Sequence, residues 1–210
     1  MSESSRVIVE FFGDYVCPFS YLTQPVLYAA RDQLGDSIEL IWRGLELCPY
    51  PMPQLDPTSA EFTQRWHEQV ETIASERGLA PLLPSVLPRS RRAMEAAAFA
   101  RQAGAFDAMH KALFSAFYEQ GRDISSIDEL VKIGGDAGLN RLDLRKVLER
   151  GSYVLQVTAD QQEAAIYGVQ GVPVMVLRRE DQPKSQAQAL WGAQPLDGVL
   201  QGIEIVRAGE

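Results

Sequence analysis

Four side chains with strong nucleophilic or metal-binding character stand in the 210 residues: Cys17, Cys48, His67 and His110. They sit at no metal-ligand spacing, so no metal site is expected, and two thiols cannot make a disulfide scaffold. Interest therefore falls on Cys17, which stands in Asp14-Tyr15-Val16-Cys17-Pro18-Phe19-Ser20-Tyr21 between an apolar run and a helical pattern. Pro18 suits the first helical position because it lacks an amide proton and its φ is already helical. A thiol at such a start faces the unpaired amides of the first turn, which favour the thiolate, so the Cys17 pKa is expected below the ~8.5 of a free thiol. The competing reading is a small buried hydrophobe. Ser20 shares the first turn, with its hydroxyl either donating to the sulfur or solvated. Tyr15 and Tyr21 flank the motif as groove or packing residues.

The elements that must position Cys17 follow from periodicity. Val7 to Phe12 is β-branched and aromatic and stops at Gly13, a strand ending in a turn. A helix runs from Pro18 to Leu34 with Gly35 as its C-cap, and Ser37 to Gly44 forms a second strand, with Ile38, Leu40 and Trp42 on one face and Glu39, Ile41 and Arg43 on the other. Together they make a right-handed βαβ unit with parallel strands. Cys48 closes the second strand, where the ligand crevice of an open sheet lies, either as a neighbour able to pair with Cys17 or as a free buried thiol. Prolines 49, 51, 53 and 57 mark a linker.

Beyond the linker, Thr58-x-x-Glu61 predicts a capped helix to Gly78, broken by Pro81 to Pro88. Helices are then predicted over 89–102, 105–118, from Ser126-x-x-Glu129 to 137, and over 140–150 before Gly151. A further helix over 153–167 leads to a strand opening at Val172-Pro173, a turn over 178–184, a strand over 187–191 and a closing helix over 195–206. The order is βαβ, a helical block, then αββα. His110 shares a helix face with apolar residues and reads as core or site-facing, and His67 reads as surface. Arg89, Arg91 and Arg92 read as the solvated start of a helix, with anion binding as the alternative.

This order, with Cys17-Pro18-Phe19-Ser20 at the first helix and Val172-Pro173 opening the third strand, resembles the thioredoxin fold. The helical block makes it similar to the DsbA family. Trp42-Arg43-Gly44-Leu45-Glu46-Leu47-Cys48-Pro49, Gly168-Val169-Gln170-Gly171-Val172-Pro173 and Gly192-Ala193-Gln194-Pro195 are similar to the FrnE-like branch, near 2-hydroxychromene-2-carboxylate isomerases and kappa-class glutathione transferases. The resemblance implies an α/β thioredoxin-like fold in two parts, 1–48 and 152–210, around an all-helical insertion over 57–151. It implies a cis Val172-Pro173 bond beside the thiol, with Pro18, Phe19, Tyr21, Val172 and Pro173 meeting substrate, and a buried acid at Glu10, which a solvated edge position would also explain.

The chain departs from the family at Ser20, where the second cysteine of Cys-x-x-Cys would stand. Resolution of a mixed disulfide would then fall to glutathione, a substrate thiol or Cys48. The isomerase and transferase branch instead has serine at the first position. The leading expectation is a single-cysteine thiol-disulfide oxidoreductase with catalytic Cys17 and Ser20 and glutathione as co-substrate, acting on a protein disulfide. The alternatives are a glutathione-dependent isomerase or transferase acting on a small apolar electrophile, and a non-catalytic binding module. The 28 acidic against 20 basic residues, a net charge of −8, argue against nucleic acid. The opening segment is too polar and its apolar run too short for a signal peptide or membrane span, which predicts a cytoplasmic protein. A homodimer is left open.

Overall fold

The computed structural model describes residues 5–209. At its centre is β1 (Val7–Gly13), buried along its whole length, as its β-branched and aromatic composition requires. It pairs in parallel with β2 (Ile38–Gly44), from Val7 opposite Ile38 to Gly13 opposite Gly44. On its other side it runs antiparallel to β3 (Val174–Arg179), which pairs with β4 (Gln188–Trp191), giving the order β2-β1-β3-β4. Gly13 ends β1 where a Cβ would lie 2.7 Å from the Phe11 ring and 2.8 Å from the Trp42 ring. Only glycine fits against those two rings.

Helix α1 (Pro18–Leu34) starts at its proline and stops at Gly35, whose φ is 54°. A short 3-10 turn over Gly35–Ser37 delays β2 by one residue relative to expectation. The inserted segment carries α2 (Ala60–Arg65), a π turn (Trp66–Val70), α3 (Glu71–Glu76), α4 (Arg91–Gln102), α5 (Phe106–Tyr118), α6 (Ile127–Asp136) and α7 (Arg141–Arg150). Helix α8 (Val154–Ile166) leads back to the sheet and α9 (Leu196–Ala208) closes it. Ser126 and Asn140 cap α6 and α7 through their side chains, and Gly151 ends α7 in the left-handed region, as their sequence positions predict.

Two helix starts differ from the sequence reading. The cap of α2 is Ser59, whose hydroxyl accepts the Phe62 amide proton, because the Thr58 hydroxyl is taken by Asp56. Helix α4 begins at Arg91, since Arg89 points back to the linker and donates to the carbonyls of Cys48 and Met52 at 2.5 and 2.7 Å. Arg91 is likewise no solvated helix end: it pairs with the buried Glu46 at 2.5 Å.

Insertion and sheet share one core. Trp42 of β2 meets Phe11 at 4.6 Å and His110 of α5 at 4.0 Å between ring centroids. Burial holds His110 well below its ordinary value, so the ring is neutral, with Nδ1 bonded to the Tyr15 hydroxyl at 2.8 Å. Arg77, just after α3, ties the block to both halves of the sheet domain by donating to the carbonyls of Leu22, Ala193 and Gln194. His67 is exposed and bonds Glu71. No described helix is long and apolar enough to cross a membrane.

Candidate functional site

Cys17 is the N-cap residue of α1, in extended backbone with φ −90° and ψ 115°. Its amide donates to the Asp14 carbonyl at 3.1 Å, and its own carbonyl accepts from Ser20 and Tyr21 at 3.0 and 3.2 Å. The turn of Asp14 to Cys17 and the first turn of α1 therefore hold the residue from both sides. The sulfur points across the groove and donates to the Val172 carbonyl at 3.7 Å. The Val172-Pro173 bond is cis, and Pro173 is tied to the β4 end through its carbonyl, which accepts from Gly192 at 2.9 Å.

Above the sulfur lies a pocket of about 140 Å³ lined by Cys17, Pro18, Phe19 and Val172 together with Leu47, Leu55, Phe62 and Trp66. Arg65 is its cation. Of the residues predicted to meet substrate, the structure brings Pro18, Phe19 and Val172 to this pocket. Tyr21 does not line it: its ring lies 4.9 Å from Tyr118 and its hydroxyl donates to Glu119 at 3.0 Å, which makes it a packing residue. Tyr15 is fully buried against Trp42 and His110. Cys48 is a half-buried free thiol outside the pocket lining, and Cys17 is free as well.

Ser20 is fully buried. Its Oγ accepts the Asp14 amide proton at 3.2 Å, leaving the hydroxyl proton to face the sulfur, where it favours the thiolate. Burial is nevertheless the larger effect and pushes the Cys17 thiol up to about 11. This corrects the expectation of a lowered value. The amides of Phe19 and Ser20 do pull toward the thiolate, yet a cysteine only 3% exposed under Trp66 and Leu55 has lost more water than the helix start returns.

Sequence reasoning missed Asp14 as a site residue. Its carboxylate is fully buried and accepts from the amides of Leu47 at 2.6 Å and Val16 at 3.2 Å. Burial pushes it up to about 6, against the pull of those amides and of Ser90, and its charge opposes the thiolate. An Asp two residues before an amide that it accepts is an Asx turn, a signal readable in the motif. Trp66, Phe62 and Leu55 carried no such signal, because nothing local says which distant side chains will cover a thiol.

Glu10 is buried, but its partners lie on β2 and at the end of α8, where Tyr167 is the C-cap. Arg43 donates to its Oε1 from Nε at 2.9 Å and Nη2 at 2.6 Å, and the Tyr167 hydroxyl donates to Oε2 at 2.5 Å. Arg43 also reaches Asp160 at 3.1 Å, and Asp160 accepts the Gly44 amide at 3.0 Å. Glu10 thus anchors α8 to the sheet. Among the described residues no group of three or more His, Cys, Asp or Glu is placed to hold a metal ion.

Solved structures share this architecture. A probable DsbA oxidoreductase from Streptomyces coelicolor superposes with a TM-score of 0.80 at 24% identity, covering 98% of this chain and 91% of that one. A 2-hydroxychromene-2-carboxylate isomerase gives 0.75 at 17% identity over 94% of both chains. A cytosolic disulfide reductase from Pseudomonas aeruginosa, solved with glutathione, gives 0.66 at 19% identity over 96% of both. These identities speak for the fold alone. The family model for the DsbA-like thioredoxin domain matches residues 8–204, nearly the whole of the sheet and insertion described above, and the chain belongs to that family.

Proposed function

We propose that the protein is a single-cysteine thiol-disulfide oxidoreductase that works with glutathione. One observation carries the reading: among the described residues, the only sulfur lining the pocket stands at the start of α1, against the Val172 carbonyl, with a hydroxyl at Ser20 where a resolving thiol would be. A mixed disulfide between a substrate thiol and glutathione enters the pocket. Cys17 gives its proton to solvent and attacks the glutathione sulfur; a Cys17-glutathione disulfide forms, and the substrate leaves as a thiolate that takes a proton. A second glutathione thiolate attacks the same glutathione sulfur, glutathione disulfide leaves, and Cys17 is restored. One mixed disulfide and one glutathione become one thiol and one glutathione disulfide, with no net change at the protein.

The chain's own residues supply position rather than reactivity. The Ser20 hydroxyl steadies negative charge on Cys17 as it develops, the Val172 backbone offers an extended edge to substrate, and Arg65 supplies a cation for a carboxylate. Such a cycle needs a reducing compartment, which fits the cytoplasmic expectation. Incubation with glutathione disulfide, followed by intact-mass and peptide analysis, should give an adduct at Cys17. Cys17→Ser should abolish the adduct and glutathione-coupled disulfide turnover, and Cys48→Ser should retain both. No adduct at Cys17 overturns the proposal.

The apolar lining of Leu47, Leu55, Phe62 and Trp66 favours a second reading, glutathione-dependent isomerisation or transfer on a small apolar electrophile. Glutathione binding without any mixed disulfide would bring it forward.

A further inference from the structure

The proline-rich segment after β2 has two lined sides. Its Leu47 and Leu55 face the Cys17 pocket, whereas Glu46, Tyr50 and Gln54 line a separate cavity of about 950 Å³ against α4 and the 82–88 loop. That volume is in the range of small-molecule sites, and Cys17 is not among its lining residues.

Three features of the lining are unmet by the protein itself. First, among the described residues Arg89 and Arg92 donate only to backbone carbonyls, those of Cys48 and Met52 at 2.5 and 2.7 Å and that of Ser125 at 3.3 Å. Their neighbours Arg91 and Arg122 hold the carboxylates of Glu46 at 2.5 Å and Glu129 at 2.9 Å. Second, Glu95 is only 4% exposed, yet its Oε2 has no hydrogen-bond partner among the described residues. A buried acceptor without a donor is costly and rare in a native fold. Third, Leu82 and Val86 on the wall stay 50% and 65% exposed, which is apolar area left for a ligand to cover.

We propose that this cavity binds a small amphiphilic organic acid carrying one N–H or O–H donor. Its carboxylate or sulfonate meets the guanidiniums of Arg89 and Arg92, its apolar body lies along Leu82 and Val86, and its donor satisfies Glu95 Oε2. Arg92 and Glu95 stand three residues apart on α4, so the ligand's anion and donor meet one face of that helix. Cys17 does not line the cavity, so its ligand is not the group that Cys17 attacks.

Three matched fluorescent probes test this on the full chain: 6-anilinonaphthalene-2-sulfonate, N-phenyl-2-naphthylamine, which lacks the anion, and 6-phenoxynaphthalene-2-sulfonate, which lacks the N–H. The first should bind at least about tenfold more tightly than either of the others, the loss expected when a charge-assisted hydrogen bond is removed. Arg92→Gln touches only an exposed bond to a carbonyl and should keep the melting temperature. It should weaken both sulfonates about tenfold and leave the neutral amine unchanged. Arg65→Gln, in the Cys17 pocket, should change none of the three. Equal affinities for the three probes, indifference to Arg92→Gln, or sensitivity to Arg65→Gln would overturn the assignment. So would loss of probe binding as protein concentration rises with dimer formation, which would make a second copy the occupant.

Discussion

Removing the Ser20 hydroxyl tests how the Cys17 thiol is controlled. With its pKa pushed up to about 11 by burial, the sulfur at pH 8 is thiolate in about one molecule per thousand, against roughly a quarter for a free thiol at ~8.5. Iodoacetamide should therefore modify Cys17 roughly two orders of magnitude more slowly than free cysteine. The rate should climb about tenfold per pH unit from 7 to 10 without a plateau, because the thiolate fraction keeps growing below the pKa. Ser20→Ala removes one hydrogen bond to the charged form, worth about 1.5–3 kcal/mol. At 1.36 kcal/mol per unit this raises the pKa by about one to two further units, and alkylation at pH 8 should fall another ten- to hundredfold. The variant also strands the buried Asp14 amide, whose partner is Ser20 Oγ, at a cost of about 1–3 kcal/mol in stability. The assay uses a Cys48→Ser background with a single thiol, with melting curves to show that the variant is folded under assay conditions. A midpoint below 8.5, or equal rates in the two proteins, would refute the reasoning.

Ser20→Cys should place a second sulfur one helical turn from Cys17 and make resolution intramolecular, so insulin reduction with dithiothreitol as electron donor should proceed without the glutathione on which the natural chain depends; disulfide formation without any gain would favour the small-molecule reading. Arg43→Met should cost about 3–5 kcal/mol in denaturant unfolding, because it leaves the Glu10 carboxylate buried without its cation; a loss under about 1 kcal/mol would refute the pairing as an anchor of the sheet. Asp14 should titrate at about 6, visible as a carboxyl band in infrared difference spectra that Asp14→Leu removes. Its value is raised, so its contribution to stability is fully present below the ordinary value of 3.8 and is lost as pH rises through about 6. A band titrating at or below 4 would contradict the burial argument.

What the sequence determined by itself is local. Pro18 and Gly35 bound α1, Ser126 and Asn140 cap their helices, and Val7 to Phe12 forms a strand, because each outcome depends on dihedral freedom, a missing amide proton or side-chain branching within a few residues. The βαβ unit and the αββα return follow from such boundaries, and the position of Cys17 at a helix start was legible for the same reason. The α2 start was misread by one residue because Thr58 and Ser59 are both good caps, and Asp56 took the first.

What tertiary structure alone decided is the environment of those residues. The sign of the Cys17 shift depends on the balance between helix amides close in sequence and the cover supplied by Leu55, Phe62 and Trp66, about forty to fifty residues away. Glu10 could be read as a site acid or an edge residue until Arg43 and Tyr167 closed on it from 33 and 157 positions along the chain. Arg89 and Arg92 look like any charged helix end until folding occupies them with carbonyls and leaves Glu95 Oε2 without a donor among the described residues. Burial is a property of the whole fold. No spacing within a motif encodes how much water a side chain will lose, and that loss sets the charge of the thiol and the unmet bonds of the cavity.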